Sequence, residues 1–187
     1  VTERPSTHRS GFILLGLVLL SSPGCLHNIH VTPLPQTEAQ TTIPASAQVV
    51  VPFLALEGAD HMPGIGSLDW PVKDFHAAAI DYFAKRRTFL SVGDEPAALT
   101  LTIKAWLTMR SRSSYVYKLR LESDLGPAGE PPTSSYLSEK TAIGSSVRWV
   151  TASDRDPIQR AVQEALDDLA QQIEADARLH ESKKSKN

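Results

Sequence analysis

Leu99, Leu101, Ile103, Ala105, Leu107 and Met109 alternate with Thr100, Thr102, Lys104, Trp106, Thr108 and Arg110. A period of two over this length predicts a strand with one buried face and one face turned toward solvent. Tyr115, Tyr117, Leu119 and Leu121 continue the alternation against Val116, Lys118, Arg120 and Glu122. The intervening polar residues make the two strands a hairpin. Their apolar faces coincide only when opposed residues sum to an even number, because a slip of one residue inverts a strand. Pairing Ser111 with Tyr115 meets that condition with a three-residue loop. The same register sets Trp106 against Arg120, Lys104 against Glu122 and Thr108 against Lys118.

On either side of this hairpin the periods change. Gln48–Glu57 starts with consecutive valines and reads as a first strand. Pro52 has no N–H for a ladder, so the strand is an edge or carries a bulge there. Gly58–Leu68 is broken by Pro63, Gly64 and Gly66 and reads as a loop. Asp69 or Trp70 caps a helix with Pro71 in its first turn, and Val72, Phe75, Ala79, Tyr82 and Phe83 follow helical spacing. The helix ends near Lys85-Arg86-Arg87, cations suited to the negative end of the helix dipole or to a phosphate. Phe89–Val92 predicts a short strand before the Gly93–Pro96 turn, and Asp124–Pro132 reads as a loop. Ser135–Ile143 predicts a third meander strand; Val147–Val150 extends it or begins another. Asp156 as cap, Pro157 next and Gln159 third make a strong helix start. Ile158, Val162, Ala165, Leu166, Leu169 and Ile173 form its apolar stripe, with Glu164, Asp167, Asp168 and Glu174 as an acidic opposite face. This order predicts an α+β fold: a two-layer sandwich with a mainly antiparallel sheet and two amphipathic helices on one face. The expected domain is residues 48–178, followed by a disordered charged tail, 179–187.

The longest apolar run, Gly11–Leu20, precedes the only cysteine, Cys25. A membrane span needs roughly 20 apolar residues; this run instead has the length of a signal-peptide core, with Arg4, His8 and Arg9 before it. The arrangement resembles a bacterial lipoprotein signal, in which the cysteine thiol takes a diacylglycerol, cleavage falls just before it and the new amine is acylated. Gly24 and Cys25 match that pattern; Ser22 and Pro23 depart from the residues usual at their positions. The resemblance implies a signal peptide, 1–24, and a lipid anchor on Cys25, and two or more acyl chains anchor stably where one does not. In that family an Asp after the cysteine often marks inner-membrane retention; Leu26 stands here, implying the outer membrane, with the body facing the periplasm. Residues 25–47 contain Pro33, Pro35 and Pro44, threonines and glutamines without an apolar period, and read as a lipid-anchored flexible tether. His27 and His30 lack a third ligand and read as solvated or structural.

Charge and motif content narrow the function classes. The whole chain has a formal net charge of −2, and removing Glu3, Arg4 and Arg9 with the signal makes it more acidic still. That argues against nucleic acid as the main partner. With Cys25 lipidated, no cysteine is left for a disulfide, so the core alone must hold the domain. No His-Glu-x-x-His zinc pattern, phosphate-cradling glycine loop or Gly-x-Ser-x-Gly elbow occurs. His76 has no ligand at helical spacing. Neither metal nor cofactor is expected. By element order the chain looks like a group of small outer-membrane lipoproteins: the lipopolysaccharide-assembly lipoprotein, YajG-type lipoproteins and auxiliary lipoproteins of envelope transport systems. The likeness implies a non-catalytic protein that plugs, docks or bridges envelope components, binding a protein or lipid partner in outer-membrane assembly, maintenance or transport. The alternative is a lipid-anchored periplasmic hydrolase with an unrecognised site. The candidate binding surface is Trp106 with Lys104, Lys118 and Arg120, on the hairpin face the helices leave open. The plainer reading is that these residues only support the hairpin.

Overall fold

A computed structural model describes residues 25–57, 66–111, 115–144 and 152–181. In chain order the elements are β1 (Cys25–Asn28), β2 (Ile43–Glu57), β3 (Gly66–Asp69), α1 (Val72–Arg86), β4 (Phe89–Gly93), β5 (Leu99–Ser111), β6 (Tyr115–Pro127), β7 (Ser134–Ile143), α2 (Ala152–Glu174) and α3 (Ala177–Glu181). The fold is the α+β sandwich that the pattern predicts. A five-stranded sheet, ordered β4-β2-β5-β6-β7, carries α1 and α2 on one face, and β1 and β3 form a separate two-stranded ribbon.

The β5–β6 register matches the parity argument along its whole length: Ser111 opposes Tyr115, Trp106 opposes Arg120 and Lys104 opposes Glu122. Leu101, Ile103, Ala105, Leu119 and Leu121 are therefore buried together beneath the helices. The sheet is mixed, a refinement of the mainly antiparallel expectation. β2 runs parallel to both β4 and β5, while β5, β6 and β7 are antiparallel. The reason is the crossover through α1, which returns the chain so that β4 rises beside β2. Residues 94–98 then cross β2 to start β5. Gln48 Nε2 donates to the Asp94 carbonyl at 2.8 Å, and the Ala98 N–H donates to Ser46 Oγ at 3.2 Å. Pro52 lies where the β2–β5 register shifts, between Val50 and Phe53. β4 pairs with β2 only as far as Gln48, so among the described residues Pro52 also lies where β2 has no strand on that side. Both readings of the proline hold.

Four boundaries are corrected. Residues 29–47, expected to be a flexible tether, lie along the body: Ile29, Val31, Ile43 and Ala47 are buried, and Ile43–Ala47 belong to β2. Its buried side chains are irregularly spaced among polar residues, so a strap of this kind carries no period that a sequence window could detect. β6 extends to Pro127 because Leu125 still opposes Leu101, which shortens the expected 124–132 loop. Gly126 lies so close to the returning chain that an added Cβ would stand 2.9 Å from Pro132 Cα. Residues 179–181, expected in the disordered charged tail, belong to α3, where Leu179 is buried. α2 also begins one turn before Asp156. The proposed signal, residues 1–24, and the Val147–Val150 segment lie outside the described residues.

α2 supplies more of the buried apolar residues than any other described element. Ile158, Val162, Ala165, Leu166, Leu169 and Ile173 are all essentially inaccessible. Leu166→Asp places an unpaired carboxylate among them and is expected to unfold the protein, at a cost of several kcal/mol. Glu164→Ala, on the half-buried flank of the same helix, is expected to be nearly neutral. Urea melts distinguish them: equal midpoints would mean that the helix presents a different face.

Candidate functional site

The sheet face away from the helices is built by the second half of every alternation. Trp106 projects there because Ala105 and Leu107 fill the core. Its ring centroid is 5.3 Å from that of Phe53, at an interplanar angle of 52°. Arg120 lies over the same indole, its Cζ 5.8 Å from the ring centroid, a cation–π arrangement worth about 0.5–1 kcal/mol at an exposed site. Phe53 is 43% exposed and Leu137, on the same face of β7, is 50% exposed. Glu57, Thr108, Lys118, Arg120, Glu122 and Glu139 surround Trp106 in an open cleft of about 370 Å³.

The structure thus places Trp106, Lys118 and Arg120 around one cleft, with Lys104 one residue pair below it. The charges differ from the sequence expectation. Glu122 lies opposite Lys104 at the backbone, but its carboxylate accepts from Arg120 on its own strand. Lys104 makes no salt bridge among the described residues. Lys118 reaches across to Glu139 at 2.9 Å, and this hydrogen bond lowers the Glu139 pKa. Each cation in the cleft therefore has a carboxylate beside it. The arrangement offers an aromatic anchor in a charge-balanced rim, the composition of a protein-binding patch.

Between the helices lies a second polar cluster, which the sequence reading missed. Arg86 Nε donates to Glu174 Oε1 at 2.7 Å and Nη2 donates to Oε2 at 3.2 Å, a bidentate pair in which the side chains are 3% and 8% exposed. Burial opposes the charge on Arg86, but the bonds to Glu174 and the nearby Asp167 outweigh it and raise its pKa. Thr88 Oγ1 also donates to Glu174, and Tyr82 donates to Asp167. Burial, then the Asp167 contact, push the Tyr82 phenol up, so it remains a neutral donor. Arg86 Nη1 donates to the Thr37 carbonyl at 3.2 Å, and the Ala39 N–H donates to the Arg86 carbonyl at 2.7 Å. The available signal was spacing: Arg86 continues the Ala79–Tyr82–Phe83 stripe, so it faces inward although Lys85 and Arg87 do not. Asp167 and Glu174, assigned to an outer acidic face, are the partners that justify it.

A third cluster joins the end of α2 to β7. Asp176 accepts from Arg178 Nε at 2.8 Å, Ser134 Oγ at 2.7 Å and Tyr136 Oη at 2.8 Å. Arg178 first, and then these hydroxyls, hold its carboxyl well below the usual range against the opposing effect of burial. Burial and the Asp176 anion push Tyr136 up to about 12, with the Ser134 hydrogen bond working against them. The described histidines have structural partners: His30 Nδ1 is 2.8 Å from Asp74, and His76 Nε2 is 2.9 Å from the Val49 carbonyl. Among the described residues no three His, Cys, Asp or Glu side chains converge as a metal site. His27, His61 and Asp60 lie among residues whose side chains are not described.

No family model and no curated protein sequence matches the chain. Among solved structures it is similar to protein XCC0632 of the DUF330 family from Xanthomonas campestris, with a TM-score of 0.57 and 14% identity over 83% of this chain and 98% of that one. At that identity the likeness establishes the fold. More distant are protein CT253 from Chlamydia trachomatis, with a TM-score of 0.47 and 10% identity over 70% and 96% of the two chains, and a minor lipoprotein from Acinetobacter baumannii, with 0.44 and 9% over 72% and 90%.

The Asp176 cluster sets an acid limit on stability. A carboxyl whose pKa is lower folded than unfolded stabilises the fold fully above its unfolded value, near 3.9, and loses that contribution as pH falls through the folded value. Asp176→Asn is therefore expected to lower stability at pH 7 by about 1–3 kcal/mol and to flatten the decline below about pH 4. Urea midpoints from neutral to strongly acidic pH measure both effects. Parallel acid limbs in variant and wild type would contradict the assignment.

Proposed function

We propose that this chain is a non-catalytic lipoprotein of the bacterial envelope, anchored by acyl chains on Cys25, which binds a protein or lipid partner through the open face of its sheet. The observation that carries the reading is the division of the sheet. One face is sealed by α1 and α2, while the other holds Phe53, Trp106 and Arg120 in mutual contact around an open cleft. Tryptophan and arginine are over-represented where binding energy concentrates in protein interfaces. The apolar run ending at Gly24-Cys25 supplies the anchor, and Leu26 after it favours the outer membrane. Outer-membrane assembly, maintenance or transport is the setting in which the lipopolysaccharide-assembly, YajG-type and transport-auxiliary lipoproteins would use such a surface.

Two measurements test the anchor and the face separately. Labelling cells with a radioactive fatty acid is expected to mark the wild type and leave Cys25→Ser unlabelled and unprocessed or released from the membrane. Equal incorporation would remove the lipid anchor from the account. In-envelope crosslinking is expected to capture less partner with Trp106→Ala, while the melting midpoint stays within about 1 kcal/mol of wild type. Undiminished capture by the folded variant would place the binding surface elsewhere.

A further inference from the structure

We infer that the occupant of the open sheet face is a segment of another protein that sets an apolar side chain against Trp106, an acidic one at Lys104 and a basic one at Glu57. This rests on the binding role proposed above and names the chemistry of the partner. Lys104, Trp106 and Thr108 follow one another on the open face of β5, and β2 sets Phe53, Ala55 and Glu57 opposite them in that order. On the other side β6 sets Glu122, Arg120 and Lys118 opposite the same three. The charges around the indole divide into two kinds. Arg120 is held by Glu122 and Lys118 by Glu139, so these four groups satisfy one another. Lys104 and Glu57 differ: among the described residues neither makes a hydrogen bond or a salt bridge. They flank Trp106 at opposite ends, two same-face steps apart along the strands, about 14 Å. Arg110 is exposed one step further along β5, outside the cleft lining.

A free charge on a bare surface keeps its water and costs nothing. Once a partner covers the face, that charge must meet an opposite one or give up hydration without return. Free charges of opposite sign at the two ends of the cleft therefore select a partner with the complementary pair and fix the way it lies. An apolar side chain belongs between them, because the rings of Phe53 and Trp106 supply the contact surface there. An anionic lipid headgroup suits the face less well. Both cations that line the cleft already hold carboxylates, and Glu57, Glu122 and Glu139 line it with them. A phosphate would have to displace a carboxylate from its cation and then sit among three like charges.

The test pans a phage library of random peptides on the full chain, immobilised in detergent, and on Trp106→Ala, Glu57→Lys and Lys104→Glu. Melting midpoints check that each variant is folded, and Glu57→Gln and Lys104→Gln remove each charge without reversing it. Peptides enriched on wild type are expected to carry an acid, an apolar or aromatic residue and a base, and to bind Trp106→Ala at least tenfold more weakly. Glu57→Lys is expected to enrich peptides that keep the acid and lose the base. Lys104→Glu is expected to enrich peptides that keep the base and lose the acid. Trp106-dependent peptides of the same charge content on every folded form would overturn the inference and leave the face a binding surface. Failure to enrich any Trp106-dependent peptide would also overturn it. In-envelope capture that still falls in Trp106→Ala would then keep the face, and Trp106-dependent binding of short-chain phosphatidylglycerol would assign it to lipid. Undiminished capture would remove the face together with the inference.

Discussion

The buried pair between Arg86 and Glu174 is the constraint on which the rest of the molecule depends. It joins the last turn of α1 to the last turn of α2, and through Thr37 it also holds the strap. An ion pair in this position is not worth much more than a hydrophobic contact of the same size, because both charges give up water. Its importance lies in what it forbids. Displacing either partner leaves an uncompensated charge inside the protein, at a cost of about 3–5 kcal/mol. Any rearrangement that moves one partner away while the other stays buried therefore pays that penalty. The C-terminal end of α1 fits the same logic. Arg87 takes a positive φ of 63° to close the helix, and its N–H reaches back to the Phe83 and Ala84 carbonyls.

With both helices held to one side, the other side of the sheet is left open. The polar half of each alternating strand carries threonines, paired charges and a few large apolar groups rather than a uniform soluble surface. Phe53 owes its place beside Trp106 to the bulge at Pro52, which shifts the β2 register so that Phe53 opposes Lys104 and Ala55 opposes Trp106. Without the extra residue, the second half of β2 would turn its side chains the other way. A proline that cannot join a ladder thus supplies one wall of the aromatic cluster. The crossing segment at residues 94–98 is tied to Ser46 and Gln48, level with the first residues of β5, well away from Trp106.

Much of this was legible in the sequence, and the reasons differ by element. The β5–β6 hairpin could be registered residue by residue, because the alternation is strict and a buried face tolerates no slip. α1 and α2 could be placed by stripe. Strand direction could not: nothing in Phe89–Gly93 distinguishes a parallel neighbour of β2 from another meander strand. The strap was illegible for a related reason. Ile29, Val31 and Ile43 are apolar islands in polar sequence, and their burial depends on surfaces contributed by distant segments. Of the candidate site, Trp106 and Arg120 followed from register alone. Phe53 did not, since its face is set by a bulge whose register shift the sequence does not reveal. Arg86 was hidden by its neighbours, which made a buried arginine look like one of three terminal cations.

The central claim is that the N-terminal segment belongs to the folded body, held to it through the Arg86–Glu174 pair and the Thr37 carbonyl. Hydrogen exchange of the backbone amides tests this directly. The N–H groups of Ile29, Ala39 and Ile43 donate to Asp69, Arg86 and Thr88 at 2.7, 2.7 and 2.8 Å. The account predicts that all three are protected, with Ile43 approaching the slow exchange of the β5–β6 amides and all three losing protection together in Arg86→Ala. Exchange at unfolded-chain rates for Ile29 and Ala39 in the native protein would contradict it, and the segment would be a leash after all.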